Sequence, residues 1–145
     1  MHSVIQLVSH ADVRVDSRVI SAIDKGILAL IGIEKTDKEA DAEKLFNKIL
    51  NIRIFPDHEG KTNLSLKDIQ GSLLLVPQFT LVADTTRGTR PGFSKGMDPE
   101  GGKRLFEYLV HYAEKNYFSI GSGQFGANMQ VSLCNDGPMT FMLKI

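Results

Sequence analysis

Short segments of alternating apolar and polar residues, together with short apolar runs, predict a chain rich in β-strands. The runs at 27–31 and 73–76 have the length and the branched side chains of buried strands. The segments on either side of Asp16-Ser17 alternate like the two arms of a hairpin. The predicted strands lie at 4–8, 13–15, 19–23, 27–31, 52–55, 73–76, 129–134 and 139–145.

Two longer segments carry apolar residues at helical spacing. The first opens with Thr36-x-x-Glu39, which predicts a capping box. The second opens with Asp98-Pro99, an N-cap followed by proline at the first helical position. The predicted apolar stripes are Ala42, Leu45, Phe46, Ile49 and Leu50 in the first helix, and Leu105, Leu109, Tyr112 and Ala113 in the second.

These elements predict an α+β fold. We expect a single mixed domain over residues 1–145, with an antiparallel-rich β-sheet curled into a barrel-like core and two long covering helices. The predicted strands are joined mostly by short connections, which favour antiparallel pairing. Residues 84–97 contain several glycines and few large apolar side chains, which predicts a loop before the second helix.

Composition narrows the class of protein. With 42% hydrophobic and 23% charged residues, the 145-residue chain is typical of a soluble globular protein. Its 17 basic residues balance 17 acidic ones, so the chain has no net positive charge. This excludes a protein that binds nucleic acid mainly through the positive field of the whole molecule. The apolar runs are too short to cross a bilayer, no signal pattern opens the chain, and Cys134 has no disulfide partner. We therefore expect a cytoplasmic protein.

Common catalytic motifs do not occur in the sequence. It contains no Gly-rich phosphate loop, no nucleophile elbow and no zinc motif, so we expect neither a cofactor nor a metal. Cys134 occupies a strand position without a basic neighbour that would activate its thiol, and a structural role is the better interpretation. The four histidines have no paired partner in the sequence and are interpreted as surface or boundary residues.

Two local features are not typical of plain scaffold. Pro77 follows a buried strand and removes a ladder N–H, so the strand ends, bulges or lies at an edge there, and strand spacing places Gln78 and Thr80 on one face. Asn135-Asp136-Gly137-Pro138 predicts a turn with a constrained backbone, in which the Gly-Pro bond can be cis. At Gln78 and Thr80, the pattern alone fits a solvated amphipathic strand end at least as well as a functional cleft. At Gly137-Pro138, the pattern alone favours an ordinary hairpin turn.

Both features resemble signature motifs of the D-aminoacyl-tRNA deacylase family. The first is Gln78-Phe79-Thr80-Leu81, and the second is Asn135-Asp136-Gly137-Pro138-Met139-Thr140. Further matches in the same order extend the resemblance to essentially the whole chain. They are Arg53-Ile54-Phe55-x-Asp57-x-x-Gly60-Lys61-x-Asn63-Leu64, Ala83-Asp84-Thr85, Arg90-Pro91-x-Phe93-Ser94 and Phe125-Gly126-Ala127-x-Met129-x-Val131-x-Leu133.

The resemblance implies an enzyme that hydrolyses the ester of D-aminoacyl-tRNA, and of mischarged glycyl-tRNA, as chiral proofreading in translation. It also implies a homodimer in which the Gly137-Pro138 turn, with a cis peptide bond, enters the active site of the partner and excludes L-amino acids. The implied catalytic residues are Gln78 and Thr80, and the implied substrate-binding residues are Phe79, Met129, Gly137 and Pro138.

The residues also indicate how such an ester would be cleaved. A threonine hydroxyl is a weak nucleophile without an adjacent base, and no His, Lys or carboxylate neighbours Thr80 in the sequence. We therefore favour attack by water, assisted by the ribose 2′-OH of the substrate, with the Gln78 amide and nearby backbone N–H groups stabilising the oxyanion. Arg87, Arg90 and Lys95 lie in a stretch without acidic residues, which predicts either weak contacts with the tRNA acceptor end or a solvated surface loop.

The chain departs from the family pattern at two positions. Pro77 stands where the family normally has serine, which removes a hydroxyl and an N–H. Leu7 stands where the family usually has arginine, so another group must hold the Gly-Pro turn if that arginine does so. Because of these departures, a second possible function remains, that of a dimeric RNA-binding module with the same fold and weakened catalysis. A third possibility is a general small-ester hydrolase that uses Thr80 or Cys134.

Overall fold

A computed structural model of the protein describes residues 1–86 and 88–145. The strands are β1 (His2–Val15), β2 (Arg18–Ile23), β3 (Gly26–Gly32), β4 (Phe55–Pro56), β5 (Thr62–Leu64), β6 (Ser72–Pro77), β7 (Ile120–Ser122) and β8 (Gln130–Lys144). The helices are α1 (Glu39–Asn51) and α2 (Pro99–Asn116), and a short 3-10 helix spans Phe79–Val82.

One long N-terminal strand organises the sheet. β1 pairs antiparallel with β3 along its first half and with β2 along its second half, and β8 runs antiparallel along its other side. β6 joins β3, and β7 joins β6, in parallel, because the crossovers between these strands carry α1 and α2. The two ends of the sheet meet, since a Cβ atom on Gly121 of β7 would stand 2.4 Å from Oγ of Ser21 on β2. The predicted α+β fold with a barrel-like sheet is therefore confirmed.

Strands β3 and β6 separate two apolar cores. Alternate residues of each strand face the helices, and the residues between them fill the barrel interior, as the strand pleat requires. Both faces are buried, which explains why the two runs are apolar throughout. The helix-facing residues are Ile27, Ala29, Ile31, Leu73 and Leu75, and the interior residues include Leu28, Leu74 and Val76.

Helix α1 begins later than predicted. The Thr36-x-x-Glu39 box does not cap it; instead Lys38 is the N-cap residue, and its N–H donates to the carboxylate of Asp41 at 2.9 Å. Just before this start, the Asp37 carboxylate accepts a hydrogen bond from the N–H of Glu34 at 2.6 Å. The Asp37 side chain thus closes a separate turn at residues 34–37, and the helix starts after that turn.

Three predicted strand segments also differ from the observed strands. Of the segment at 52–55, only Phe55 lies in a strand, in β4, which pairs with β5. The segments at 129–134 and 139–145 form one strand, β8, and both halves pair with β1. The chain therefore does not reverse at Gly137-Pro138, and the predicted hairpin turn is wrong. Residues 136–139 instead bulge out of the ladder between two stretches of regular pairing.

The two helices pack side by side over the sheet. α2 begins at the predicted cap, where the Asp98 carboxylate accepts a hydrogen bond from the Gly101 N–H at 2.9 Å. The Tyr108 hydroxyl on α2 donates to the Glu43 carboxylate on α1. None of the helices in the described residues combines the length and the apolar character needed to cross a membrane.

The Tyr108–Glu43 hydrogen bond predicts a loss of stability in alkali. The bond to Glu43 raises the pKa of Tyr108 to about 12, from a usual value of 10.0. Because the pKa of Tyr108 is raised in the folded state, the hydrogen bond stabilises the fold fully at any pH below the tyrosine pKa of the unfolded chain. This stabilisation is lost as the pH rises through about 12. The difference in unfolding free energy between wild type and Tyr108→Phe, measured with denaturant, should be present near neutral pH and shrink above the usual tyrosine pKa. A difference that does not change with pH would contradict this assignment.

Candidate active site

The candidate site begins where β6 ends at Pro77. The next residue, Gln78, donates its N–H to the Ile31 carbonyl of β3 at 2.7 Å. Because alternate residues of a strand donate to opposite sides, the nitrogen of Pro77 faces the β7 side, where β7 already ends at Ser122. Proline at this position therefore removes no bond from the β3–β6 ladder.

Past Pro77 the chain enters the 3-10 helix instead of continuing as a strand. The predicted strand spacing of Gln78 and Thr80 is therefore wrong, yet the turn brings them together, and Nε2 of Gln78 donates to Oγ1 of Thr80. Phe79 and Thr80 are the first residues of the 3-10 helix, so their N–H groups have no intrahelical acceptor. This turn therefore carries one side-chain donor and two backbone donors on consecutive residues, and donors of this kind can stabilise an oxyanion.

A cleft of about 480 Å³ opens beside Gln78. Its walls are mostly apolar, and it extends from the barrel-interior core, against which Met129 also packs. Three of the predicted site residues, Gln78, Phe79 and Met129, share this cleft, and Thr80 joins them through its contact with Gln78. The lining residues are Val76, Pro77, Gln78, Phe79, Met97, Pro99, Phe125, Gly126, Ala127, Met129 and Val131.

Gly137 and Pro138 lie outside this cleft. Both are exposed on the bulge of β8, their peptide bond is cis, and Gly137 has a φ angle of +134°. Gly137 lines a separate cavity of about 240 Å³ together with Leu7. Within one chain, the structure thus keeps the two signature motifs apart.

A polar network holds the bulge in place. Nδ2 of Asn135 donates to Oγ1 of Thr140 at 2.9 Å, and the Met139 N–H donates to Oδ1 of Asn135 at 3.2 Å. From β1, Nε2 of Gln6 donates to the same Thr140 oxygen at 3.3 Å. Leu7 is buried beside the bulge and supplies no polar contact through its side chain. Amide and hydroxyl side chains therefore support the Gly-Pro segment in this chain.

The loop at 84–97 is organised by Asp84. Its backbone exchanges two hydrogen bonds with Gly92, at 2.7 and 2.9 Å. Its carboxylate accepts from the hydroxyl of Thr86 at 2.6 Å and from the Thr86 N–H at 3.0 Å, and it lies 3.1 Å from Nζ of Lys95. The Thr86 hydrogen bonds, with the Lys95 ammonium, hold the pKa of Asp84 well below its usual range. The loop is therefore closed by an ionised carboxylate at neutral pH.

The predicted tRNA contacts belong to this loop. Arg90 is exposed, Lys95 is exposed but paired with Asp84, and Arg87 lies outside the described residues. Sequence reasoning assigned no role to Asp84 or to Phe93, although both occur in the matched motifs. Their contacts depend on the path of the loop, which no periodicity in the sequence indicates.

The remaining candidate nucleophile lies elsewhere. Cys134 is exposed on β8, where it pairs with His10 of β1, and it does not line the cleft. Across residues 1–86 and 88–145, no group of three or more His, Cys, Asp or Glu side chains is placed to hold a metal ion.

Comparison with known proteins assigns the chain to a family. The family described as D-Tyr-tRNA(Tyr) deacylase matches residues 4–144. The chain belongs to this family. Among its relatives is the D-aminoacyl-tRNA deacylase of Pseudomonas putida (strain KT2440), which is 52% identical over 145 residues and is matched over 100% of both chains.

Solved structures share the deacylase-family fold. One, described as c-Myc DNA Unwinding Element Binding Protein, superimposes with a TM-score of 0.95 at 38% identity and covers 100% of this chain and 99% of its own. Another, from a structural analysis of a probable eukaryotic D-amino acid tRNA deacylase, has a TM-score of 0.86 at 17% identity, with 99% and 98% coverage. At that identity, the second likeness concerns the fold alone.

Proposed function

We propose that this deacylase-family chain hydrolyses the ester of D-aminoacyl-tRNA, and of mischarged glycyl-tRNA, releasing tRNA and the amino acid as chiral proofreading in translation. The observation that carries the proposal is the contact between the Gln78 amide and the Thr80 hydroxyl beside the cleft. It occurs in a chain that is similar to D-aminoacyl-tRNA deacylases over its full length. The cleft volume of about 480 Å³ suits a ligand the size of an aminoacyl nucleoside.

The chemistry requires stabilisation of negative charge more than a strong nucleophile. Water attacks the ester carbonyl, the bond to the ribose 3′-oxygen breaks, and the proton of the water passes to that oxygen with the help of the ribose 2′-OH. Nε2 of Gln78 donates to a hydroxyl in the free protein, and it can donate to the oxyanion when substrate is bound. The N–H groups of Phe79 and Thr80 supply further donors. Thr80 contributes by orienting the Gln78 amide.

In this proposal, a second copy of the chain supplies the chiral gate, which is the Gly137-Pro138 turn that excludes L-amino acids. Gly137 and Pro138 are exposed and do not line the cleft of their own chain, and among residues 1–86 and 88–145 the strand partner of β8 is β1. Their carbonyls would enter the cleft of the partner, leave room for hydrogen or a D side chain, and obstruct an L side chain. Gly137 and Pro138 then control selectivity, while Gln78 controls rate.

Contact with the rest of the tRNA is proposed to be limited. Arg90, Lys95 and Arg87 share the loop at 84–97 and are the proposed phosphate contacts near the acceptor end. A net charge of zero fits contact with one end of the tRNA better than with its whole length. A substrate of this kind also supports the expected cytoplasmic location.

Deacylation of D-tyrosyl-tRNA and L-tyrosyl-tRNA by the purified protein tests the proposal. We expect selective release of D-tyrosine, with tRNA recovered intact. Binding of tRNA without release would favour the RNA-binding module. Equal release from both substrates would favour the general ester hydrolase. Cys134→Ala should leave the result unchanged, because Cys134 lies outside the cleft.

A further inference from the structure

Two touching phenylalanine rings extend the cleft outward along the loop at 84–97. Phe79 lines the cleft, and the ring centroid of Phe93 lies 5.2 Å from that of Phe79, at an angle of 52°. The two side chains are 61% and 49% exposed. Paired aromatic surface left in water beside a cleft is typical of a binding surface.

The backbone holds Phe93 from both sides. On one side, Gly92 exchanges two hydrogen bonds with Asp84. On the other, the Gly96 N–H donates to the Phe93 carbonyl at 3.2 Å, and Gly96 forms a β-bridge with Glu34. The ring is therefore in position before a ligand arrives, and binding does not have to order the segment at 92–96.

The charged side chains on the loop that carries Phe93 favour an anionic partner. Arg90 is exposed on the same loop, and the acidic group of the loop, Asp84, is already paired with Lys95. Proteins that bind unpaired nucleotides combine exposed aromatic rings with basic side chains, because the bases stack on the rings and the phosphates contact the cations.

We propose that Phe93, together with Phe79, forms a stacking surface for the unpaired nucleotide that precedes the terminal adenosine of the aminoacyl-tRNA. This inference rests on the proposed function, which places the aminoacyl-adenosine in the cleft. Phe93 lies outside the cleft wall but touches Phe79 within it, so it meets the next base outward from the terminal adenosine. Stacking on an aromatic face does not depend on base identity, so this surface positions the 3′ end without reading sequence.

Two substrates separate this role from the chemistry in the cleft. D-tyrosyl-tRNA carries the preceding nucleotide, whereas the D-tyrosyl ester of adenosine does not. Phe93→Ala should raise KM for D-tyrosyl-tRNA roughly 5- to 150-fold, the usual range for loss of a base–aromatic stack. It should leave kcat for the tRNA, and both constants for the adenosine ester, unchanged. Phe93→Trp should preserve KM, while Phe93→Leu, which is apolar but not aromatic, should behave like Phe93→Ala.

Phe118→Ala is the matched control. Phe118 is 71% exposed, and its ring lies 4.7 Å from that of Tyr117, so it forms a comparable aromatic pair. The pair sits at the other end of β6, where the adjacent Ser119 carbonyl accepts the N–H of Leu73. This substitution should change KM for neither substrate.

Three results would overturn the inference. An equal rise in KM for both substrates would place Phe93 within the adenosine site itself. An unchanged KM for D-tyrosyl-tRNA would remove the stacking role. Conversion of Phe93→Ala to a monomer in sedimentation would make the rings a contact between copies of the chain. A wild-type protein that cleaves neither substrate would contradict the proposed function instead, which is a separate outcome.

Discussion

Replacing Gln78 with leucine is expected to lower kcat for D-aminoacyl-tRNA hydrolysis by about 100- to 1,000-fold, the usual loss when an oxyanion donor is removed. The Gln78 amide is a polar donor in an otherwise mostly apolar cleft wall. Leucine keeps much of the side-chain volume but has no N–H, so the cleft should retain its shape. KM should change little, because the lost interaction strengthens as charge develops on the carbonyl oxygen. Single-turnover kinetics with D-tyrosyl-tRNA measure this step directly.

Thr80→Ala is the control for this experiment. It removes the hydroxyl that accepts from Gln78 but leaves the amide, so only part of the activity should be lost. No covalent aminoacyl-Thr80 species should be trapped on rapid quenching. A trapped ester on Thr80, or complete inactivation by Thr80→Ala beside a mild effect of Gln78→Leu, would contradict attack by water and make Thr80 the nucleophile.

Mixed dimers of Gln78→Leu and Gly137→Ala chains are expected to regain one fully selective site. If each site takes Gln78 from one copy and Gly137 from the other, one of the two sites in the mixed dimer is unaltered. The other site carries both changes and should be nearly inactive. Each variant alone should be defective, Gln78→Leu in rate and Gly137→Ala in discrimination against L-amino acids. Co-expression with two affinity tags isolates the mixed dimer, which should show about half of the wild-type rate with wild-type selectivity.

Gly137→Ala is a severe change for a local reason. At a φ angle of +134°, side chains are rarely accommodated, and a Cβ atom would lie 2.7 Å from Cγ and 3.0 Å from the backbone nitrogen of Met139. Gly60→Ala is the matched control, because Gly60 also has a positive φ, of +76°, but would place its Cβ in open space. It should leave selectivity intact. A mixed dimer without recovered activity, or a fully selective monomer, would contradict a gate supplied by the partner.

Several elements that depend on near neighbours in the sequence were predicted correctly, although the Thr36-x-x-Glu39 box does not cap α1. Helix α2 begins at Asp98 because its cap needs only the Gly101 N–H one turn away. The hairpin at Asp16-Ser17 forms as expected, with both residues at positive φ between β1 and β2. Matching motifs along the chain were also sufficient to indicate the family, which the comparisons confirm.

Two features of the site region depend on residues far apart in the sequence, and these were not predicted correctly. Gln78 leaves the strand path because its N–H is taken by Ile31 of β3, after which the chain turns into the 3-10 helix. The segment around Gly137 looks like a hairpin turn when read along the chain. Its two flanks nevertheless find the same partner, β1, so it becomes a bulge. Hydrogen bonds between strands far apart in sequence decided both outcomes.

The sequence by itself determined the α+β class, the two helices, most of the strands, and the motifs that contain Gln78 and Gly137. These follow from the period of apolar residues and from local backbone chemistry, which a single chain segment expresses without its neighbours. Only the tertiary structure decided that Gln78 and Met129 share one cleft, that Phe93 extends it, and that Gly137 lies apart from it. The reason is that the walls of the cleft come from separate segments, and the curl of the sheet and the packing of α2 set the distances between them.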